Sequence, residues 1–271
     1  MRFRDLALIT LGVGAGMAIY GALVESKRLV YERKTLHLED WPEELNGFRI
    51  VVVSDLHIRD KYSVELVKRA FEMALAEEPD MLVLPGDFVD YWKPGVDEML
   101  REVLAPLKAM EGSAVAIAGN HDYWYGDIVR LADALAEVDV HFLRNEIWRH
   151  KGITWVGLDS AVQKMARPEE IVLGPGDRPA IALWHEPDAI AGLPRGIALQ
   201  ISGHSHGGQF RFPGGFTPMH STLGKKYPSG WYPDAPTPLY VTRGVGTTGP
   251  PTRFNCPPEI SVLTLNSPTN P

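Results

Sequence analysis

The chain has 271 residues, which fits one large domain or one domain with short additions. Hydrophobic residues make up 45% and charged residues 23%, so the composition is that of a globular protein with a full core. The net charge of -7 speaks against a nucleic-acid partner, because such partners need a basic surface. Cys256 is the single cysteine, which excludes an internal disulfide and a cysteine-rich zinc site.

The first element in chain order is an apolar segment from Leu6 to Val24 that contains no charged residue. A helix of that length rises about 28 Å, which is close to the thickness of the hydrocarbon layer of a bilayer. The segment is long for a signal-peptide core, and no Ala-x-Ala cleavage site follows it. We therefore predict an uncleaved, single-pass membrane anchor, with a cleaved signal peptide or a buried core helix as alternatives. Lysine and arginine counts on its two flanks slightly favour the cytoplasmic face for the rest of the chain.

A charged linker from Glu25 to about Lys34 follows this segment, so the sequence predicts three parts. Residues 1–34 form the N-terminal membrane anchor and linker, residues 35–265 form the globular domain, and residues 266–271 form a polar tail.

Short, nearly continuous apolar runs predict strands that are buried on both faces of a sheet. These runs are Phe48–Val53, Met81–Leu84, Ala114–Ala118, Ile153–Leu158, Ala180–Trp184, Leu199–Ile201 and a closing strand at Glu259–Leu265. Apolar residues at helical spacing predict helices over Val64–Ala74 with Ser63 as N-cap, over Val96–Leu104 and over Asp127–Glu137. Alternation of strands and helices in the first half favours an α/β architecture. Residues 213–238, rich in proline, glycine and aromatics, are predicted to form a long ordered loop.

Side chains that can bind metals follow the carboxyl ends of five of these predicted strands. In chain order they are Asp55 and His57, then Asp87 and Asp90, then Asn120, His121 and Asp122, then His185, and finally His204 and His206. In open α/β sheets, ligands bind at the carboxyl ends of strands. We therefore expect these side chains to meet in one cleft.

This mixture of side chains suits the hydrolysis of a phosphate ester, which needs a strong nucleophile at neutral pH and charge compensation at an anionic centre. Two metal ions about 3.5–4 Å apart supply both. The candidate ligands are Asp55, His57, Asp87, Asn120, His185, His204 and His206. Imidazole and carboxylate groups without thiolate favour Mn, Fe, Zn or Co over Ca or Mg, and Mn is our first choice.

The motifs resemble, in order, those of the calcineurin-like metallophosphoesterase superfamily. They are Asp55-x-His57, Gly86-Asp87-x-x-Asp90, Gly119-Asn120-His121-Asp122, His185 and Gly203-His204-x-His206. The resemblance covers about Phe48 to Leu265. It implies a four-layer αββα sandwich, in which two mixed sheets are flanked by helices. It also implies a metal-dependent phosphohydrolase that cleaves a phosphodiester or pyrophosphate bond.

The same resemblance implies roles for individual side chains. One metal would be held by Asp55, His57, Asp87 and His206. The other metal would be held by Asp87, Asn120, His185 and His204, so that Asp87 bridges the two. A metal-bridging hydroxide would attack phosphorus. His121 would stabilise the transition state or protonate the leaving oxygen, and Asp122 would orient His121.

The end of the chain narrows the resemblance. Gly207-Gly208-Gln209 and the segment Arg243–Ile260 are similar to a bacterial branch of membrane-anchored or exported phosphoesterases, which includes a UDP-2,3-diacylglucosamine pyrophosphatase. This similarity implies a phosphorylated small-molecule or lipid-linked substrate, and no protein partner is predicted. Arg243 and Arg253 are expected to contact substrate phosphate, with a loop-stabilising pair as the alternative.

Several alternatives stay open at this point. The enzyme could be a broad phosphodiesterase or phosphomonoesterase acting on soluble or cell-wall substrates. It could also be a catalytically silent membrane scaffold, although no expected ligand is missing. Asp90 could be a turn former, Asn120 could hold a left-handed backbone position, and His185 could be a core-edge histidine. The aromatic run Tyr123–Tyr125 could flank the site or pack under a loop.

Overall fold

The computed structural model describes residues 3–212, 214 and 216–268. Helices in this part of the chain are α1 (Phe3–Leu23), α2 (Lys61–Leu75), α3 (Val96–Leu104) and α4 (Val129–Ala136). The strands are β1 (Val30–His37), β2 (Phe48–Val52), β3 (Met81–Leu84), β4 (Ala114–Ala116), β5 (His141–Phe142), β6 (Glu146–His150), β7 (Ile153–Gly157), β8 (Ala180–Leu183), β9 (Ile197–Ser202), β10 (Gly230–Tyr232), β11 (Leu239–Val241) and β12 (Glu259–Asn266).

The strands form two six-stranded sheets that pack face to face. The first sheet has the order β1-β12-β2-β3-β4-β5, in which β2 to β5 run parallel and β12 runs antiparallel to β2. The second has the order β10-β11-β9-β8-β7-β6, with four parallel central strands and antiparallel edges. Fully buried side chains such as Ile50, Val83, Trp155 and Ile181 fill the space between the sheets. The predicted α/β sandwich of two mixed sheets is confirmed.

Helices cover one outer face of this sandwich. Phe71 of α2, Leu100 of α3 and Leu131 of α4 are buried in one cluster with residues of the first sheet. Over the second sheet, loops and short 3-10 turns at Pro168–Glu170 and Pro187–Gly192 take the place of α-helices in the described part of the chain. The prediction of a fourth layer made of α-helices is therefore wrong for the described residues. Proline at the start of these turns and the lack of a long apolar repeat keep the segments short.

The predicted core strands are confirmed with small differences at their ends, and the start of α2 differs for a clear reason. The N-cap is Asp60, and not Ser63 as expected. The Asp60 carboxylate accepts hydrogen bonds from the backbone N–H groups of Tyr62 at 3.0 Å and Ser63 at 2.9 Å. Ser63 returns the contact by accepting from the Asp60 N–H at 3.0 Å, which completes a capping box.

The first strand was not expected. Residues 30–34, predicted to be a linker, form the first half of β1, which pairs in parallel with β12 from Val30 opposite Glu259 to His37 opposite Asn266. Charged residues in β1 obscure the apolar alternation that would have revealed a strand. The expected polar tail begins at the last residue of β12, and positions 269–271 of that tail lie outside the described residues.

The N-terminal segment forms a helix but not the predicted anchor. Within the described residues, no helix combines the length and apolar character that crossing a membrane requires. The predictions of a single-pass anchor at Leu6–Val24 and of a membrane-anchored location are therefore wrong. The end of α1 instead lies against the segment before β12, where the Arg253 N–H donates to the Gly21 carbonyl at 3.3 Å. The Cys256 N–H donates to the Glu25 carboxylate at 2.6 Å.

Candidate metal centre

The loops that follow β2, β3, β4, β8 and β9 meet at one edge of the sandwich. All of the predicted metal ligands lie buried there, and so do the two predicted catalytic residues. The buried set is Asp55, His57, Asp87, Asn120, His121, Asp122, His185, His204 and His206. They adjoin a cleft of about 460 Å³ that opens to solvent, with Asp87, Asn120, His121, His204 and His206 in its wall.

A first group of four side chains could hold one metal ion. The ligand atoms of Asp55, His57, Asp87 and His206 all lie within 4.8 Å of one another. Nε2 of His57 is 3.0 Å from Nε2 of His206 and 3.7 Å from an Asp87 carboxylate oxygen. Nε2 of His206 is 3.4 Å from a carboxylate oxygen of Asp55. Two ring nitrogens that face each other and two carboxylates form a suitable cage for a divalent cation.

A second group contains Asp87, His185 and His204, whose ligand atoms also lie within 4.8 Å of one another. His185 donates from Nδ1 to the Pro85 carbonyl at 2.6 Å, which leaves Nε2 facing an Asp87 oxygen at 3.1 Å. His204 donates from Nε2 to the Thr222 carbonyl at 2.6 Å, so Nδ1 is the nitrogen left for a metal. Carbonyl partners of this kind fix the ring orientation of metal-binding histidines. Asp87 belongs to both groups.

Buried atoms without partners indicate that the centre fits a bound cation. Among the described residues, Oδ1 of Asn120 is buried and makes no hydrogen bond, and Nε2 of His185 is buried with only the Asp87 carboxylate beside it. Leaving such an atom unpaired costs about 1–3 kcal/mol, and a metal ion would satisfy both. The backbone of Asn120 has φ -73, which excludes the left-handed alternative. His185 lies inside this group, beside Asp87 and His204, as the prediction of a metal ligand requires.

The charges of the centre also indicate that it fits a bound cation. Burial opposes ionisation of Asp87, but the neighbouring His185 and His121 hold the pKa of Asp87 well below its usual value. Burial and the Asp87 charge together raise the pKa of Asp122 to about 7. Burial also opposes protonation of His185, yet Asp87 raises the pKa of His185 well above its usual value. A divalent cation would compensate the paired carboxylates and take the place of that proton.

The backbone of the ligand loops is strained. Residues Asp55, His57, Asp87, His204 and His206 all have positive φ, between 47° and 69°. For residues other than glycine this conformation costs about 1–2 kcal/mol each, and it clusters at functional sites. Each of these residues lies within five residues of the end of a buried strand, so the strain arises where the chain turns to aim a ligand into the cleft.

Glycines next to the ligands have two different functions. Gly86 has φ 97, a left-handed conformation that glycine adopts at low cost, so it provides the turn before Asp87. Gly119 and Gly203 do not adopt this conformation and are needed for close packing instead. A Cβ atom at Gly119 would overlap the Asp87 side chain, and one at Gly203 would overlap Asp55.

Asp122 has a role other than the predicted one. Its carboxylate accepts four backbone hydrogen bonds: from Asp87 at 2.9 Å, Phe88 at 2.8 Å, Val89 at 3.2 Å and Gly119 at 2.8 Å. Asp122 therefore joins the loop after β3 to the loop after β4. It positions Asp87 and does not orient the imidazole of His121.

The residue that orients His121 is Asp90. Nδ1 of His121 donates to the Asp90 carbonyl at 2.7 Å, which turns Nε2 toward the cleft. The Asp90 carboxylate lies 3.5 Å from Nδ1 of His57 and 3.8 Å from Nη1 of Arg59. Although burial works in the other direction, His57 and Arg59 keep the pKa of Asp90 low. Asp90 was visible in the second motif, but its carbonyl contact could not be inferred from the sequence.

The two arginines expected to bind substrate are engaged within the protein. Arg253 is fully buried and donates to the carbonyls of Arg243 at 2.8 Å, Gly246 at 2.6 Å and Cys256 at 3.2 Å. Arg243 forms an ion pair with Glu259 at 2.5 Å. The substrate-binding prediction for this pair is therefore not supported, and the loop-stabilising alternative agrees with the contacts.

Glu186 is a buried residue of the site that the sequence analysis missed. Its carboxylate accepts hydrogen bonds from the Ser160 hydroxyl at 2.5 Å and from the N–H groups of Ala161 at 3.0 Å and Val162 at 3.1 Å. These contacts hold the loop that contributes Val162 to the cleft wall. The position of Glu186 directly after His185 was the feature of the sequence that could have revealed it.

The mixed α/β sandwich and the two ligand groups that share one carboxylate define the class of dinuclear metallophosphoesterases. The sequence model of the calcineurin-like phosphoesterases matches residues 48–208, and the chain belongs to that family. A Bacillus subtilis protein described as an uncharacterized metallophosphoesterase is 31% identical over 98% of this chain and 95% of its own length. A phosphodiesterase of Escherichia coli is 28% identical over 80% of this chain and 82% of its own length.

Among solved structures, a dimetal phosphatase from Danio rerio aligns with a TM-score of 0.48 at 13% identity, over 74% of this chain and 88% of its own. The predicted superfamily, the enzyme class and a dinuclear divalent metal site are confirmed by the family match and the ligand groups. The chain is thus a metal-dependent phosphoesterase.

Proposed function

We propose that this enzyme hydrolyses a phosphodiester or pyrophosphate bond at a centre in which Asp87 serves both metal ions. One ion would be held by Asp55, His57, Asp87 and His206. The other would be held by Asp87, Asn120, His185 and His204. The observation that carries this proposal is the membership of Asp87 in both ligand groups.

Two bound cations would supply Lewis-acid activation of water and charge compensation for the phosphate. The protein groups fix the ligands in place before substrate arrives. The His204 N–H holds the Asp55 carboxylate at 2.9 Å, and the His121 N–H holds one oxygen of Asp87 at 2.8 Å. Since each of these carboxylates is already oriented, little reorganisation is needed when the phosphate binds.

His121 is our candidate for the proton donor to the leaving oxygen. Its Nδ1 stays bonded to the Asp90 carbonyl, so an imidazolium would present the Nε2 proton to the cleft. As the bond from phosphorus to the leaving oxygen breaks, that proton would pass to the oxygen and leave a neutral ring. Burial, opposed by the Asp87 charge, lowers the pKa of His121, which makes the proton easier to release.

Manganese is the metal we propose first, with iron, zinc and cobalt as alternatives. The ligand groups combine imidazole and carboxylate, a set that suits all four metals. The single thiol does not compete, because Cys256 is buried and donates to the His206 carbonyl at 3.3 Å.

As the specific substrate, we propose a lipid-linked phosphate such as UDP-2,3-diacylglucosamine. A second cavity of about 520 Å³ reaches His57 from the side of α1 and α2. Leu23 and Leu66 contribute apolar walls, and Arg59 and Arg69 contribute positive charge. An apolar cavity with cationic groups next to the metal centre suits an amphiphilic phosphate, which favours this substrate over small soluble ones.

The test is metal-dependent hydrolysis by the full chain. The protein is stripped with a chelator, reloaded separately with Mn, Fe, Zn or Co, and assayed on bis(p-nitrophenyl) phosphate and on UDP-2,3-diacylglucosamine. We expect no turnover of either ester by the stripped protein and the highest activity with Mn. Turnover that is indifferent to metal, or a Mn-loaded protein inactive on both esters, would contradict the proposal.

A separate variant tests the proposed lipid-linked substrate. Leu66→Glu should lower kcat/KM for UDP-2,3-diacylglucosamine by about tenfold, because a charge replaces an apolar wall of the cavity. The nitrophenyl ester, which has no long chain, should be hydrolysed at the normal rate. Val129→Glu, an exposed helical position on α4, is the matched control. Equal effects of the two variants on the lipid substrate would refute the role of this cavity.

A further inference from the structure

An aromatic surface lines one side of the catalytic cleft, and the proposed chemistry does not use it. Tyr91 and Trp124 both form part of the cleft wall. Their exposed fractions are 37% and 39%, although large aromatic side chains are usually well buried. The residues lie in the loops that follow β3 and β4, which also carry Asp87 and His121.

Another aromatic residue, Trp92, holds these two loops together. Trp92 is buried and donates from Nε1 to the Asp122 carbonyl at 2.6 Å. The Trp92 N–H donates to the Trp124 carbonyl at 3.0 Å, and the Arg130 guanidinium lies 4.5 Å from the Trp92 ring. Trp92 therefore joins the two loops, and their attachment does not depend on the rings of Tyr91 and Trp124.

The position of Trp124 relates this surface to the leaving group. Its ring centroid lies 3.7 Å from that of His121, with an angle of 38° between the ring planes. The proposed proton donor and the indole are thus neighbours on the same side of the cleft. Whatever is attached to the leaving oxygen beside His121 must lie close to Trp124.

We propose that Tyr91 and Trp124 form an aromatic wall that stacks against a planar aromatic group on the leaving side of the substrate, such as an aryl ring or a nucleobase. Stacking on exposed aromatic side chains is a general way to bind planar groups with little dependence on their identity. This inference rests on the proposed function, and it adds a preference among phosphate esters.

The test compares two esters whose leaving alcohols have similar acidity: methyl phenyl phosphate and methyl hexafluoroisopropyl phosphate. Trp124→Ala in the full, Mn-loaded chain should lower kcat/KM about tenfold more for the phenyl ester than for the saturated ester. The difference should appear mainly in KM, and Trp124→Phe should restore the preference. Tyr91→Ala should act in the same direction.

Phe216→Ala is the matched control, because this aromatic residue is 65% exposed, does not line the cleft and has its ring against Phe212 and not against the aromatic wall. It should leave the ratio between the two esters unchanged. Equal losses on both esters in Trp124→Ala would mean that the indole acts only through His121, and would overturn the inference. Such a result would leave the proposed function intact, because that function is tested separately by whether the unaltered enzyme hydrolyses the esters at all.

Discussion

Two buried polar regions lie side by side in this protein and differ in how their hydrogen bonds are satisfied. In the metal centre, Oδ1 of Asn120 makes no hydrogen bond among the described residues, and Nε2 of His185 has only the Asp87 carboxylate beside it. In the neighbouring segment, the fully buried Arg253 donates to several backbone carbonyls. Both regions had been predicted to be functional, but the guanidinium of Arg253 is taken up by the fold, whereas the two ligand atoms are still available to a cation. The partners of a buried polar group thus help to distinguish a binding role from a structural one.

The strongest test of this difference is Asp87→Asn, which removes one charge and keeps the volume. We expect kcat/KM for bis(p-nitrophenyl) phosphate to fall by about 10⁴-fold, because one carboxylate serves both metals. Thermal unfolding in chelator should change little, since the amide oxygen still accepts from His121. Asp133→Asn, an exposed position on α4, is the control. Near-normal activity in Asp87→Asn would remove the basis of the metal assignment.

His121→Ala tests the chemistry on the cleft side of the centre. For a dialkyl phosphate we expect a loss of about 10³-fold in kcat, because the alkoxide leaving group needs a proton. For a p-nitrophenyl ester the loss should be much smaller, since nitrophenolate leaves without one. Steady-state rates on both esters provide the measurement. Equal losses would mean that His121 does not donate the proton.

Arg253→Met tests the other side of the comparison. It should lower the free energy of unfolding by about 3 kcal/mol, because buried carbonyls lose their donor. The activity of the molecules that remain folded should fall far less than in Asp87→Asn, because Arg253 reaches the metal ligand His206 only at 3.5 Å. Urea unfolding and active-site titration together make the measurement. Arg33→Met, which removes an exposed pair with Glu77, is the control and should cost at most about 1 kcal/mol. Lost activity in a stable Arg253→Met protein would restore a functional role for this arginine.

Metal addition gives the smallest expected effect. At about one hundred times its dissociation constant, Mn should stabilise the folded protein by about 2.7 kcal/mol. Arg243→Met should show the same rise in Tm on metal addition as the unaltered chain, and Asp87→Asn should show a reduced one. Differential scanning fluorimetry with and without Mn measures these shifts. An identical rise in Tm for Asp87→Asn would show that metal binding does not depend on this carboxylate.

Much of the core and the ligand set could be predicted from the sequence because each depends on a local pattern. Met81–Leu84 is apolar throughout, as strands covered on both faces are, and its observed bounds agree with the prediction. β1 was missed because its partner, β12, lies at the other end of the chain and because the charged residues Glu32, Arg33 and Lys34 interrupt its apolar pattern. The anchor prediction rested on the absence of charge over Leu6–Val24, and no helix among the described residues is long and apolar enough to cross a membrane.

Residue roles were harder to predict than residue positions. Asp122 and Asp90 both stand in recognisable motifs, yet their roles depend on backbone N–H and carbonyl groups, which every residue has. The sequence therefore could not indicate that Asp122 holds the loop of Asp87, or that Asp90 orients His121. Arg253 was misassigned for the same reason, since its partners are carbonyls.

The pairing of β1 with β12 has a practical consequence for shortened forms of the enzyme. A truncation that removes residues 1–34 would delete five of the eight residues of β1 and uncover the backbone of β12 from Glu259 to Leu263. An uncovered sheet edge recruits other chains and promotes aggregation. Soluble, active protein should therefore be sought from chains that begin before Val30, so that β1 still covers β12 at the edge of the sheet.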